Sequence, residues 1–190
     1  MTDLDRLRTI LTRNEILVEL LGRARGFGLP NWYLTAGCVV QTAWNVLTGR
    51  EAAHGIEDYD LFYHDPADLS WAAEDRVIRS VAASCADLPV IVEVRNEARV
   101  HLWYEAKFGT PCPPFANTEA AIDAFPAVCS CVGVRAGKDG SWHFHAPHGL
   151  DDLFAMIVRP NPVLAPREVF ERKVARWLAR WPELTVLTSS

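Results

Sequence analysis

The chain opens with apolar residues at helical spacing: Leu4, Leu7, Ile10 and Leu11, then Ile16, Leu17, Leu20 and Leu21. Positions three and four apart share one face of a helix, so residues 1–30 read as a helical lead-in. Gly26, Gly28 and Pro30 end it. The pattern then changes. Trp32, Tyr33, Leu34 and Thr35 are aromatic, apolar and β-branched, and read as a strand. Ala36 and Gly37 break it, and residues 39–47 read as a helix that ends near Gly49. A second strand is expected over 59–63, with Pro66 in the turn beyond it. Residues 71–86 read as a helix with a polar face at Glu74, Asp75 and Arg79. The clearest strand follows Pro89, over 90–94. Residues 97–107 read as a helix, and Pro111, Pro113 and Pro114 then rule out regular structure. Residues 128–134 and 142–145 fit a hairpin through Gly137 and Gly140. A helix over 150–158 ends at Pro160 and Pro162, and a last one over 166–178 has Pro166 in its favoured first turn. Helices and strands alternate with no linker and no repeat, which predicts one α/β or α+β domain over residues 1–190.

Charge and cysteine content narrow the classes. A formal net charge of −5 over 190 residues excludes a protein that grips nucleic acid along its whole surface. DNA is therefore not an expected partner, and only a local basic patch stays open. The five cysteines are odd in number and form no C-x-x-C pair, so free thiols in a reducing cytoplasm are expected. Asp3, Asp5 and Arg6 stand where a signal peptide needs apolar residues. No segment approaches the roughly 18–20 apolar residues of a membrane span, so a soluble, cytoplasmic protein is expected.

The chemistry concentrates in three carboxylates. Asp58 and Asp60 are two apart in a predicted strand, so they share a face, with Tyr59 and Leu61 on the other. Neighbouring carboxylates both stay ionised only with positive charge between them, and a hard cation such as Mg²⁺ takes oxygen ligands of this type. Glu93 is the one charge within residues 90–94. In so apolar a strand it is costly unless paired, exposed at the strand's end or bound to metal. If the two strands are neighbours, Asp58, Asp60 and Glu93 form a metal cradle. The competing reading is a plain ion pair of Glu93 with Arg95 or Arg99. Gly37 lies between a strand and a helix, where backbone N–H groups and the helix dipole favour an anion, although such turns are common in any α/β protein.

Together these elements resemble the DNA polymerase beta-type nucleotidyltransferase superfamily: a strand, a glycine turn at Gly37 and Cys38, a helix, the Asp58-x-Asp60 strand and a later carboxylate at Glu93. More closely, the chain resembles an uncharacterised bacterial nucleotidyltransferase-like family. That resemblance runs over about residues 15 to 185, through Trp44-Asn45, residues 58–63, residues 93–104, residues 147–154, residues 158–162 and Trp181-Pro182. It implies a nucleotidyltransferase fold, a small mixed sheet flanked by helices. The catalytic core would span 31–110 and a family-specific hairpin and helical tail 111–190. It implies Mg²⁺ or Mn²⁺ on Asp58, Asp60 and Glu93 as metal ligands and catalytic residues. A nucleoside triphosphate is the implied substrate, and a hydroxyl on a small molecule, protein or RNA the acceptor. Gly37, Cys38, Arg95, Arg99 and Lys173 are the implied nucleotide-binding residues. Two departures bear on phosphate contacts. Cys38 stands where the superfamily often has Ser, and a thiol is the weaker donor. Val40-Gln41-Thr42 stands where the family carries a basic Arg-Asn pair. An inactive nucleotide- or partner-binding module and a metal-dependent phosphohydrolase are the alternatives on the same carboxylates.

Other candidates compete with plainer readings. Asn96, Arg99 and Trp103 share a face if residues 97–107 are helical, with Trp103 expected in the core. His143, His145 and His148 with Cys129 and Cys131 raise zinc, but their spacing fits hairpin side chains better. Asp151 and Asp152 suit the positive end of a helix. The basic residues Arg167, Arg172, Lys173, Arg176 and Arg180 read first as a solvated helix face, and second as a contact for an anionic acceptor.

Overall fold

A computed structural model describes residues 1–187. The helical lead-in is two helices, α1 (Asp3–Leu11) and α2 (Glu15–Ala24). Thr2 and Asp5 form a reciprocal capping box that starts α1, and the Asn14 side chain accepts from the Leu17 N–H at 3.1 Å to start α2. That cap needs extended backbone at Asn14, so the chain breaks there. Next come β1 (Tyr33–Thr35) and α3 (Gly37–Leu47). They are joined by Ala36 at φ 55°, an uncommon conformation for a residue with a Cβ. No side chain caps α3, which leaves its first-turn N–H groups without a side-chain acceptor.

The chain continues through β2 (Asp58–Tyr63), α4 (Trp71–Ser84) and β3 (Ile91–Asn96). A 3₁₀ turn (Glu97–Leu102) and the short α5 (Tyr104–Phe108) replace the single helix expected over 97–107, because Asn96 caps a tight turn by accepting from the Ala98 N–H at 3.1 Å. Then follow α6 (Thr118–Asp123), a 3₁₀ turn (Val128–Ser130), β4 (Gly133–Ala136) and β5 (Trp142–His145). The hairpin is present, but its first strand is Gly133–Ala136 rather than 128–134, because residues 128–130 turn as a 3₁₀ helix. The helix expected over 150–158 is only α7 (Asp151–Phe154). Met156 at φ 56° turns the chain out of helix into β6 (Ile157–Val158). After α8 (Arg167–Arg180), β7 (Thr185–Val186) pairs parallel with β6, a small second sheet that no sequence pattern announced.

The main sheet has the order β3-β2-β1-β4-β5. Only the β2–β3 pair is parallel, so the fold is a mixed α+β sheet with helices, as expected. Two registers matter for chemistry: Thr35 lies opposite Asp60 on β1–β2, and Asp60 lies opposite Glu93 on β2–β3.

The tail is fastened to the core by tryptophan. Trp44 of α3 meets Trp177 of α8 edge-on at 5.0 Å between ring centroids and Trp181 at 5.7 Å. The Trp181 indole N–H donates to Asn45 Oδ1 at 2.9 Å, and the Asn45 amide donates to the Ala52 and His54 carbonyls. Trp44, Asn45 and Trp181 are fully buried, so these contacts act in a water-free interior, where each polar atom needs its partner. They hold α8 against α3 and bring Lys173 toward β2.

Candidate functional site

Asp58, Asp60 and Glu93 converge. One carboxylate oxygen from each lies within 4.8 Å of the other two, the one group of three such ligands among the described residues. Strand alternation on β2 puts both aspartates on one face, while Tyr59 and Leu61 are buried on the other. Beneath the aspartates, the Asn14 amide donates to the Tyr59 hydroxyl at 3.0 Å and to Thr42 Oγ1 at 2.8 Å, and the Thr42 hydroxyl donates to the Cys38 carbonyl at 2.6 Å. This closed network locks β2 and α3 together under the acids.

The electrostatics are those of a site short of positive charge. Burial pushes the Asp60 carboxyl up to about 7, Asp58 and Glu93 add to the rise, and Lys173 and Arg95 oppose it. A divalent cation among the three oxygens would remove that strain. Both readings of Glu93 are present: it pairs with Arg95 and still joins the two aspartates. Arg99 takes no part in that pair. Its guanidinium binds Glu74 of α4 and donates to the Leu69 carbonyl at 2.9 Å. Glu74, expected on a polar helix face, is in fact buried, and its carboxylate also accepts from the Asn96 backbone N–H at 2.8 Å.

A cavity of about 380 Å³ opens beside the aspartates, lined by Gly37 and Gln41 of α3 and by Lys173, Arg176 and Arg180 of α8. At Gly37 a Cβ would stand 2.7 Å from Gln41 Nε2, so glycine keeps this wall open. Gln41 Oε1 is buried without a hydrogen-bond partner among the described residues. Lys173 sits 4.9 Å from the Trp177 ring; burial lowers its pKa and Asp60 holds it up. Arg180 is anchored on Glu57 and the Gly55 carbonyl. The basic run on α8 is therefore divided: Lys173, Arg176 and Arg180 turn to the cavity, while Arg167 pairs with Glu171 at 2.7 Å.

Cys38 is fully buried. Its thiol donates to the Thr35 carbonyl at 3.2 Å, and burial above all, then Asp60, drives its pKa upward. The side chain does not line the cavity, so any phosphate contact there would come from the backbone N–H. Trp103 is half-buried rather than in the core, with Arg95 5.3 Å and Lys107 5.4 Å from its ring. The histidines and cysteines of the hairpin region form no metal-type group among the described residues. His145 instead binds Asp123 at 2.6 Å and His143 meets Ser141 at 3.1 Å. Asp152 binds Arg159 at 2.6 Å. Sequence reasoning put Glu74 on a polar helix face, did not single out Glu97, and gave Arg176 no more than a place on a charged helix. The three-residue step from Lys173 to Arg176 was the signal for a shared face.

No curated protein matches the sequence. Among solved structures, the chain is similar to a protein whose NMR structure is described as revealing a CCA-adding enzyme head domain, with 22% identity, 91% of this chain and 90% of that chain covered, and a TM-score of 0.76. A chain from a tRNA-processing enzyme complex aligns at 15% identity and a TM-score of 0.49, over 88% of this chain and 43% of that chain. No helix of the described residues is long and apolar enough to cross a membrane. A family model described as nucleotidyltransferase matches residues 22–186, which takes in the glycine turn, both aspartates, Glu93 and α8. The chain belongs to this nucleotidyltransferase family.

Proposed function

We propose that the protein is a divalent-metal-dependent nucleotidyltransferase that moves a nucleoside monophosphate from a nucleoside triphosphate to a hydroxyl acceptor. The observation that carries this reading is the convergence of Asp58, Asp60 and Glu93 beside a cavity walled by a glycine turn and lysine and arginine side chains. The donor set fits Mg²⁺ or Mn²⁺: three hard oxygen donors, with the Asp60 carboxyl pushed up to about 7 by burial and by the two acids beside it. Asp58, Asp60 and Glu93 would hold the metal, which supplies charge neutralisation at the phosphates and lowers the pKa of a nearby hydroxyl.

The chain's own groups do the rest. The uncapped start of α3 offers N–H groups to phosphate oxygens, and Gly37 lets them approach. Lys173 and Arg176 neutralise the departing pyrophosphate in a partly water-excluded site, where a fixed charge is worth more than in water. Gln41, with its Oε1 unpartnered, is placed to turn its amide to a phosphate or ribose oxygen. Arg95 holds Glu93 in position. Arg99 acts through Glu74 and Asn96, which fix the end of β3, rather than on the phosphate. One core cluster runs from Leu7 to Leu184, which supports lead-in, core and tail working as one domain.

The test is calorimetry of ATP binding in Mn²⁺ with wild type and Asp60→Asn, followed by a pyrophosphate-release assay. Metal-dependent binding that disappears in the variant supports the reading. A folded wild type that binds no triphosphate sinks it. Phosphate or nucleotide release without an acceptor would point to hydrolysis instead.

A further inference from the structure

A second cavity lies along the same strand. On β2 the open face carries Asp58, Asp60 and then Phe62, and Phe62 lies opposite Arg95 just as Asp60 lies opposite Glu93. The polar cavity is at the Asp58 end. At the Phe62 end is a cavity of about 180 Å³, walled by Phe62, Trp103, Tyr104, Phe108, Phe115 and Phe125. Lys173 stands between the two, 4.9 Å from the Trp177 ring of the first and 6.0 Å from the Phe125 ring of the second. Glu97 also lines this aromatic cavity; it is only 3% exposed, and its Oε1 has no hydrogen-bond partner among the described residues. A buried acid without a donor is costly, so such a position implies a ligand that supplies one.

We propose that this aromatic cavity seats the acceptor, an alcohol whose body is one aromatic or aliphatic ring with an ammonium group, the ammonium bound by Glu97. The proposal rests on the nucleotidyl-transfer reading. In an in-line displacement the attacking oxygen stands opposite the leaving oxygen. With pyrophosphate at the Asp58 end, attack comes from the Phe62 end. The acceptor oxygen bonds to the α-phosphorus while the bond to the bridging oxygen breaks. Pyrophosphate leaves with the electron pair, and the hydroxyl proton passes to a carboxylate of the triad and on to water. The size fits, since a dry cavity of about 150 Å³ takes one benzene. The chemistry fits as well, because aromatic faces and a carboxylate both attract an ammonium. Burial, opposed by Arg95, raises the empty Glu97 carboxyl to about 8, consistent with an acid waiting for its counter-ion. Glu97 and Arg95 alone carry charge among the described lining side chains, and Arg95 is taken by Glu93. A nucleobase, with polar atoms around its whole edge, would leave most of them unanswered here.

Three probes test this by protein-observed NMR titration: 2-phenylethylamine, 2-phenylethanol and phenylacetate. The amine should bind best and phenylacetate not at all. Glu97→Gln should weaken the amine at least 10-fold with the fold intact by thermal melt, and Phe108→Ala at the cavity should weaken it too. Mg²⁺–ATP should leave the amine bound. Absence of amine binding, or equal binding by Glu97→Gln, overturns the proposal. Displacement of the amine by ATP but not by inorganic triphosphate assigns the cavity to the nucleobase and also overturns it. If the amine binds but ATP does not, the nucleotide reading has failed and the acceptor role with it, while loss of amine binding alone leaves nucleotidyl transfer standing.

Discussion

Two groups of acids sit close to β3 and are treated in opposite ways. Glu74 is 5% exposed and fully answered: the Arg99 guanidinium binds it, the Asn96 backbone N–H donates to it, and the Asn96 side chain is tied to Asp65 in both directions at 2.9 and 3.0 Å. Asp60, less buried, has two other acids for neighbours, and its carboxyl is held near 7. On the proposed reading, the contrast separates an acid that builds the fold from acids that serve a ligand. Satisfied polar groups specify structure, and unsatisfied ones kept against their cost mark a site.

Breaking the satisfied group should have the largest effect on stability. Glu74→Ala leaves Arg99 as an uncompensated buried cation and the Asn96 N–H without its acceptor. The expected loss is about 3–5 kcal/mol of unfolding free energy, read by urea denaturation. The double variant Glu74→Leu with Arg99→Met should recover much of it, since both charges leave together. A loss below about 1 kcal/mol in the single variant would mean that Glu74 does not build the fold.

Breaking the unsatisfied group should do the reverse. Asp60→Asn should lower nucleotidyl transfer on the order of 10³-fold, about 4 kcal/mol, through lost metal and transition-state charge stabilisation. The same substitution should leave the metal-free protein at least as stable as wild type, because a repelled carboxyl is gone. An Asp60→Asn protein that melts well below wild type would place Asp60 with Glu74 among the structural acids.

Lys173 sharpens the comparison on the cation side. Lys173→Met keeps an unbranched side chain beside Trp177 and removes the charge. It should cost about 10²-fold in kcat/KM, roughly 2–3 kcal/mol, with little change in melting temperature. A change confined to stability would make Lys173 a partner of the tryptophan cluster alone.

How much of this was legible in the sequence follows from the range of each interaction. The Asp58-x-Asp60 pair is a period-two signal, so a strand and a shared face could be read directly. Glu93 was suspicious as a lone charge in an apolar strand, but its place opposite Asp60 depends on a parallel pairing that crosses α4. Glu74 is hidden for the same reason: beside Asp75 and Arg79 it has the look of a solvated helix face, and its partner Arg99 is 25 positions away. Glu97 stands where an acid suits the first turn of a helix, which hid its burial. Cys38 was credited with a phosphate contact from its position in a motif, yet the direction of its thiol is set by the packing of α3 on β2. The end of α7 at Met156 had no sequence signal, because a positive φ at a residue with a Cβ is imposed by tertiary contacts.

The smallest effect is also the most discriminating, because it concerns an unsatisfied acid outside the triad. Glu97 ionises at about 8 in the folded chain, above its ordinary 4.5. Between those values the unfolded chain has released a proton that the folded chain retains, so this residue makes stability fall as pH rises from about 4.5 to 8. Above pH 8 both states are ionised and the loss is complete. Glu97→Gln removes the titration and should flatten that slope, measured as urea midpoints from pH 4.5 to 9. The gain at pH 7 should be about 1–2 kcal/mol, less than the full ionisation cost, because an amide in the same aromatic cavity is still a polar group without a partner. An unchanged slope would mean that Glu97 already has its counter-charge, and it would then belong with Glu74 rather than with Asp60.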